Sequence, residues 1–266
     1  MKIGFIGAGN MATAIIGGIV STGFAPSDIH LFDTDKEKLE AFSEKGITIE
    51  GCAKCVTKNS DIIVLAVKPQ NYAEVIETVK GVADENKTFV SIAAGITIDF
   101  VRRGLGISCP VVRVMPNTPL LLSKGATALC PSDNVKEDVF DAVKAMFATG
   151  GVVEVLTEDK MDAVISVNGS SPAYFYLFAK AMVDYAETQG ISPEVAMNLV
   201  CATMEGSAAM LRNSGDTPET LIKKVSSKGG TTIEALNVFY ENDIEKIIGD
   251  AMDACTRRAG ELAKEA

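Results

Sequence analysis

The chain has 266 residues, 47% of them hydrophobic and 23% charged, with a formal net charge of -10. That apolar fraction suffices for a packed core in one or two domains and excludes a chain disordered throughout. The acidity excludes a nucleic-acid binder held by clustered Lys and Arg and reads as solubility, while the absence of any run of about 18 apolar residues excludes a helical membrane span.

The first half alternates strand-like and helix-like segments. Lys2–Ile6 reads as a strand and Asn10–Ser21 as a helix. Ile29–Phe32 is a second strand, followed by a polar-faced helix over Asp35–Lys45. Ile62–Val67 is a continuous apolar run, the pattern of a strand covered on both faces. A helix follows over Asn71–Val79, then strands over Phe89–Ala93 and Val111–Met115. Ala126–Cys130 and Val152–Val155 extend the sheet, with the helix Val135–Phe147 between them. Such alternation predicts a doubly wound parallel sheet. From Asp159 onward only helical patterns remain. Ser192-Pro193-Glu194 and Thr217-Pro218-Glu219 each set a capping hydroxyl before a proline at the first helical position. Tyr174–Glu187 and Val195–Leu211 are apolar around much of their circumference, which predicts deep burial, often in an oligomer interface. The fold class is therefore α/β: an N-terminal Rossmann-like doubly wound sheet over residues 1–157, then an all-α dimerisation domain over 158–266.

The first chemical motif is Gly7-Ala8-Gly9-Asn10-Met11-Ala12, a GxGxxA between the first strand, ending at Ile6, and the first helix. Gly7 permits the tight turn, Gly9 lets backbone approach a pyrophosphate, and Ala12 lets helix and strand pack closely. Free N–H groups at the helix start then face the phosphate. Asp33 ends the second strand. A carboxylate there accepts hydrogen bonds from an adenosine ribose and repels a 2′-phosphate, which taken alone favours NADH over NADPH; Lys36 and Lys38 lie close enough to soften that repulsion. A plain turn residue in Asp-Thr-Asp is the competing reading.

The six cysteines are Cys52, Cys55, Cys109, Cys130, Cys201 and Cys255. They are scattered through a chain too long to need staples and follow no secretory signal, so free thiols in a reducing, cytoplasmic setting are expected. Cys52 and Cys55 form a single CxxC. A zinc site needs a further ligand pair and the one histidine is His30, so no metal is expected.

Further segments carry a resemblance to a known family. Leu65-Ala66-Val67-Lys68-Pro69-Gln70, Ala93-Ala94-Gly95 and Met115-Pro116-Asn117-Thr118-Pro119 each close a predicted strand. Asn168-Gly169-Ser170-Ser171-Pro172-Ala173-Tyr174 opens a long helix, and Val225-Ser226-Ser227-Lys228-Gly229-Gly230-Thr231-Thr232 precedes another. In order and spacing, over essentially the whole chain, these resemble the pyrroline-5-carboxylate reductase family. Lys228 stands where that family usually has Pro, Ser171 where it has Gly, and Ala53 where it often has Asn. The resemblance implies reduction of 1-pyrroline-5-carboxylate to L-proline with NADP(H) or NAD(H), by a homodimer or a ring of dimers. Cofactor contacts are then expected from Ile6, Gly7, Ala8, Gly9, Asn10, Met11, Asp33, Ala66, Val67, Lys68, Pro69, Ala93, Ala94, Gly95 and Asn117.

Within that resemblance the Gly-Gly turn reads as a carboxylate trap. Gly229, Gly230 and Thr231 can aim successive backbone N–H groups at an anion, Ser226 and Ser227 add hydroxyls, and Thr232 can hydrogen-bond the ring nitrogen of an imine. A capped helix with no ligand is the alternative. Two other functions stand beside the reductase: a β-hydroxyacid-dehydrogenase-like oxidoreductase, for which Lys180 sits too far along its helix, and a non-catalytic NAD(P)-binding sensor.

Overall fold

The computed structural model describes residues 1–265. Eight strands form one sheet: β1 (Ile3–Ile6), β2 (Ile29–Phe32), β3 (Thr48–Ile49), β4 (Ile62–Leu65), β5 (Thr88–Ser91), β6 (Val111–Met115), β7 (Gly125–Pro131) and β8 (Gly151–Val155). Their order is β3-β2-β1-β4-β5-β6-β7-β8. The chain therefore starts in the middle of the sheet, winds outward to β3, and returns to β4 on the other side of β1. This is the doubly wound arrangement, with its switch point between β1 and β4.

Alternation of side chains across β1 and β4 explains the two layers of helices. Phe5 and Val64 face one way, onto α1 (Asn10–Ser21), α2 (Glu37–Ser43) and α6 (Glu137–Ala148), whose Ile15, Leu39 and Phe147 are buried there. Ile6, Ile63 and Leu65 face the other way, onto α3 (Ala53–Asn59), α4 (Tyr72–Val79) and α5 (Ile98–Leu105), whose Val56, Ile76 and Val101 complete the second core. Strands covered on both faces need no polar alternation, so all four residues of β1 and of β4 are buried.

The sheet is parallel except at one place. β6 and β7 are antiparallel, with Val112 opposite Pro131 and Met115 opposite Ala128. The link between them, from Pro116 to Lys124, is shorter than the dozen or so residues that a parallel crossover requires. Among the strands and α-helices of the first 157 residues, those absent from the sequence reading are β3, α3 (Ala53–Asn59) and α5 (Ile98–Leu105). β3 has only two residues, too few for any periodicity. α5 is short but well punctuated: the Thr97 hydroxyl accepts from the Phe100 N–H at 3.0 Å, and Gly106 closes the helix at φ 72°.

The helical elements after the sheet are α7 (Ser171–Thr188), α8 (Pro193–Asn213), α9 (Pro218–Val225), α10 (Thr231–Glu241) and α11 (Ile244–Glu265). By contacts the chain forms two compact units, one of residues 1–172 with 254 onward, the other of 173–253. Ser192 and Thr217 cap α8 and α9 as the Ser-Pro-Glu and Thr-Pro-Glu signals predict. The deep burial predicted for the two apolar helices does not occur within one chain. Only Ala179, Val183, Ala196 and Val200 form a buried cluster. Phe175, Tyr176, Leu177, Met182, Tyr185 and Leu199 are exposed, Leu177 to 67%. Two helices that meet along a narrow stripe of small residues leave the rest of their apolar surface open, and a surface of that size marks an interaction face. Among the described residues no helix is long and apolar enough to cross a membrane.

Tyr72 is the largest fully buried side chain. Its hydroxyl donates to the Leu65 carbonyl at 2.6 Å and receives the Ser91 hydroxyl at 3.3 Å, tying together the carboxyl ends of β4 and β5. Burial pushes the phenol well above the usual tyrosine range, so it stays a neutral donor. Tyr72→Phe leaves both partners unsatisfied in a dry core. Denaturant titration is expected to show a loss of about 1–3 kcal/mol; an unchanged midpoint would remove this hydrogen bond from the account of strand-end positioning.

Candidate active site

The turn after β1 is fixed from three sides. Gly7 has φ 107°, a conformation disfavoured for any side chain, and a Cβ there would lie 2.5 Å from the Ala66 carbonyl oxygen. Its N–H donates to the Phe32 carbonyl at 2.7 Å. The next N–H, of Ala8, donates to the Asp33 carboxylate at 2.7 Å, while the other Asp33 oxygen accepts from the Asp35 N–H at 2.8 Å. Asp33 thus holds the glycine turn against the end of β2, a structural task that the sequence alone did not indicate. Its remaining lone pairs stay available to a ligand.

Gly9 behaves differently. Its backbone is extended and a Cβ would meet nothing within 4 Å. No packing within the chain demands a glycine here, so the space is open toward whatever occupies the site. Gly9 is the N-cap of α1, which has no side-chain cap and no acidic residue in its first turn. An uncapped helix start beside open space suits a pyrophosphate, and the residues present fit a dinucleotide.

A cleft of about 680 Å³ lies at this edge of the sheet. Ile6, Gly7, Gly9, Asp33, Ala66, Val67 and Lys68 line it, all at the carboxyl ends of β1, β2 and β4. Ala8 and Asn10 border a smaller adjoining cavity of about 290 Å³. Met11 instead packs toward the core beneath α1. Pro69, Ala93, Ala94, Gly95 and Asn117 lie outside the cleft lining. Pro69 opens the single turn before α4, and Gly95 adopts φ 78°. Asn117 is 8% exposed, and its side chain donates to the Asn168 carbonyl and accepts from the Ala126 N–H. Its amide is thus engaged on both its nitrogen and its oxygen.

Sequence reading missed Thr34, Cys52 and Asn71, which also line the cleft. Each follows a strand end, but Cys52 follows β3, the strand without a pattern. The structure also corrects the expectation of six free thiols: Cys52 and Cys55 are joined in a disulfide. Their Cα atoms are 5.2 Å apart, as the first turn of α3 dictates, and this is within ordinary disulfide geometry. No group of metal-ligating residues occurs among the described residues.

Residues 165–169 form a π-turn, a feature frequent at functional sites. Gly169 passes so close to Met115 that a Cβ would lie 2.3 Å from its terminal methyl. Arg113, 3% exposed, pairs with Glu158 at 2.9 Å and Asp162 at 2.5 Å, anchoring the chain after β8 to the middle of β6.

In the second unit, Ser226, Ser227, Gly229 and Gly230 lie in the turn between α9 and α10, and Thr231 and Thr232 open α10. Gly229 has φ 73°, and a Cβ on Gly230 would meet the Ser227 hydroxyl at 2.6 Å. The Gly230 N–H donates to the Ser227 carbonyl. Gly230 is the N-cap of α10, again without a side-chain cap. The Ser226 hydroxyl donates to the Ile222 carbonyl at 2.7 Å, so it must rotate to serve an anion. Ser227, Thr231 and Thr232 are exposed. Lys180 is exposed on α7 and paired with Asp184 at 2.5 Å, the surroundings of a surface lysine.

Comparison with known proteins shows the family. Residues 158–262 match the family described as pyrroline-5-carboxylate reductase dimerisation, and residues 2–95 match one described as NADP oxidoreductase, coenzyme F420-dependent. The chain is 37% identical to a pyrroline-5-carboxylate reductase of Escherichia coli, over 99% of this chain and 98% of that one. It is 34% identical to pyrroline-5-carboxylate reductase 2 of Bacillus subtilis, over 99% and 96%. A crystal structure of the Plasmodium falciparum reductase with NADP bound superposes with a TM-score of 0.91 at 27% identity, covering 99% of this chain and 98% of that one.

The contrast between Gly7 and Gly9 gives a test. Gly9→Ala meets open space and is expected to fold with an unchanged melting temperature, yet to weaken NADPH binding at least ten-fold in a fluorescence titration. A destabilised variant would make Gly9 a packing glycine, and unchanged binding would remove it from the nucleotide site.

Proposed function

The chain belongs to the pyrroline-5-carboxylate reductase family, and from that premise we infer that it reduces 1-pyrroline-5-carboxylate to L-proline with NAD(P)H, the last step of proline biosynthesis. The observation that carries this reading is the pair of glycine-capped helix starts, one per unit. α1 opens onto a cleft of dinucleotide size, and α10 opens at an exposed turn rich in donors.

When bound, the reduced nicotinamide supplies the hydride. The chain supplies position and electrostatics. The α1 start and Gly9 hold the pyrophosphate, Asp33 faces the adenosine ribose, and Ala66, Val67 and Lys68 border the path toward the nicotinamide. Ala93, Ala94, Gly95 and Asn117 contribute backbone at neighbouring strand ends. In the turn before α10, the N–H groups of Gly229 and Thr231, with the Ser226 and Ser227 hydroxyls, hold the substrate carboxylate, while the Gly230 N–H, donating to the Ser227 carbonyl, keeps the turn closed. The Thr232 hydroxyl donates to the ring nitrogen, which makes the C=N carbon a better hydride acceptor. A threonine hydroxyl is a poor acid, so the proton that ends on nitrogen arrives from solvent or with a substrate already protonated. Holding donor and acceptor carbons in near-attack geometry supplies most of the acceleration.

The exposed apolar faces of α7 and α8 are the surfaces that an oligomer covers, and a homodimer, alone or repeated in a ring, is the proposed assembly. Sedimentation is expected to show no monomer at micromolar concentration, and Leu199→Arg to shift the protein toward monomer. A monomeric wild-type chain that still turns over would overturn this assembly.

The reaction itself is tested by loss of reduced-nicotinamide absorbance with 1-pyrroline-5-carboxylate and either NADPH or NADH. Turnover with at least one of them is expected. Thr232→Ala is expected to lower kcat roughly ten-fold, the loss of one hydrogen bond of about 1.4 kcal/mol at the reacting centre, with cofactor affinity unchanged. An unaltered kcat would take Thr232 out of the mechanism; a folded protein that binds nucleotide but reduces no imine would take the substrate assignment with it.

A further inference from the structure

Cys52 and Cys55 have no part in the reduction of an imine, yet one of them forms a wall of the cofactor cleft. Cys52 lines it together with Gly7, Gly9, Asp33 and Lys68. Cys55 stands one turn along α3, and its N–H donates to Cys52 Sγ at 3.1 Å. The other four cysteines are set apart from such chemistry. Cys109 and Cys130 are buried, and burial pushes both thiols up to about 11, where little thiolate exists. Cys201 and Cys255 are also free thiols, and neither borders the cleft.

The surroundings of the pair are fixed independently of the sulfur bond. On the strand side, Glu50 is held three ways: its N–H donates to the Leu31 carbonyl at 2.8 Å, and its carboxylate meets His30 Nδ1 at 2.8 Å and Asn59 Nδ2 at 2.7 Å. On the helix side, Ala53 and Val56 are buried in the second core. Opening the disulfide therefore leaves β3 and α3 in place, and the change falls on Gly51 and the Cys52 side chain. Two thiols cannot approach as closely as two bonded sulfurs. Since Cys55 sits within α3 and Cys52 only caps it, Cys52 is the one that moves, and its open side is the cleft.

We propose that Cys52 and Cys55 form a thiol–disulfide centre coupled to the cofactor cleft, in which the disulfide form binds the dinucleotide more tightly than the dithiol and bound dinucleotide shields the disulfide from reduction. The inference rests on the cofactor cleft of the proposed function. The exchange partner is a small-molecule thiol and its disulfide, such as glutathione. An external thiolate attacks Cys52 Sγ, the Cys52–Cys55 bond breaks, and Cys55 leaves as a thiolate that takes a proton from water. A second external thiolate then attacks the external sulfur of the mixed disulfide and releases Cys52, which takes the second proton. Two electrons pass to the protein and one external disulfide forms. The reciprocity is required by linkage: a ligand that favours one form is itself bound better by that form.

The test uses the full-length protein, equilibrated with glutathione disulfide or with dithiothreitol and then freed of reagent. Alkylation after denaturation is expected to label two more cysteines in the reduced sample than in the oxidised one. Cleavage by trypsin at Lys54 separates the two positions, so the oxidised sample should yield a linked peptide pair. The Kd for NADPH should rise at least three-fold on reduction, and saturating NADPH should shift the thiol–disulfide equilibrium with glutathione toward the disulfide by the same factor. The Cys52→Ser/Cys55→Ser double variant should bind NADPH with the same Kd after either treatment. A pair that glutathione disulfide fails to oxidise, or a Kd identical in the two forms, overturns the inference while leaving the reductase assignment intact. A redox-dependent Kd that persists in the Cys52→Ser/Cys55→Ser double variant also overturns it, because Cys201 or Cys255 is then responsible. Absence of NADPH binding by both forms overturns the cleft assignment itself, and the inference with it.

Discussion

The approach of Gly7 to Ala66 is the constraint on which this fold depends. β1 and β4 are adjacent parallel strands in register from Ile3–Ile62 to Ile6–Leu65, and the chain must turn away from β1 immediately beyond Ile6 without striking the end of β4. Only a residue without a Cβ and with a positive φ can do so. The turn opens the switch point, aims α1 at it, and lets the Ala8 N–H reach Asp33 on β2. Displacing Gly7 would disturb three strand ends together.

The two units repeat one device for handling an anion. In each, a glycine takes the N-cap position, no side chain satisfies the first turn, and a positive-φ glycine turns the chain just before it. The dipole and the free N–H groups of a helix start attract negative charge without introducing a cation. Under the proposed function, a protein with a net charge of -10 would bind two anionic ligands through oriented backbone in place of clustered basic side chains. The contexts differ in their supports. The α1 site is backed by a buried sheet, whereas the turn before α10 is exposed within one chain.

That exposure belongs with the unusual balance of the helical unit. Its buried cluster consists of alanines and valines, while its aromatic and long aliphatic side chains face outward. Helices gain most of their stability from packing an apolar face, and here a large part of that face is left for a partner. The Rossmann-like unit is the reverse: two dense cores, one on each side of the sheet, with the buried Arg113 paired to the partly exposed Glu158 and Asp162, tying on the segment that follows.

Local signals in the sequence were enough for the sheet, the helix starts and the family. A continuous apolar run marked β4 because a strand covered on both faces needs no polar residue. Gly7-Ala8-Gly9 could be placed because a strand and a helix flank it, and Ser192 and Thr217 could be recognised as caps because capping is decided within four residues. What depends on residues distant in sequence was not legible. β3 exists only because two residues meet the edge of β2, the antiparallel turn of β7 depends on where a short link can reach, and Asn117 is consumed by partners at 126 and 168. The CxxC illustrates the division most clearly. The sequence could say that the two cysteines lay one turn apart and lacked the ligands of a metal site. That Cys52 borders the cleft was decided by the packing of α3 beside β1 and β2, because contact between remote segments is set by the sheet order, and sheet order leaves no trace in the spacing of nearby residues.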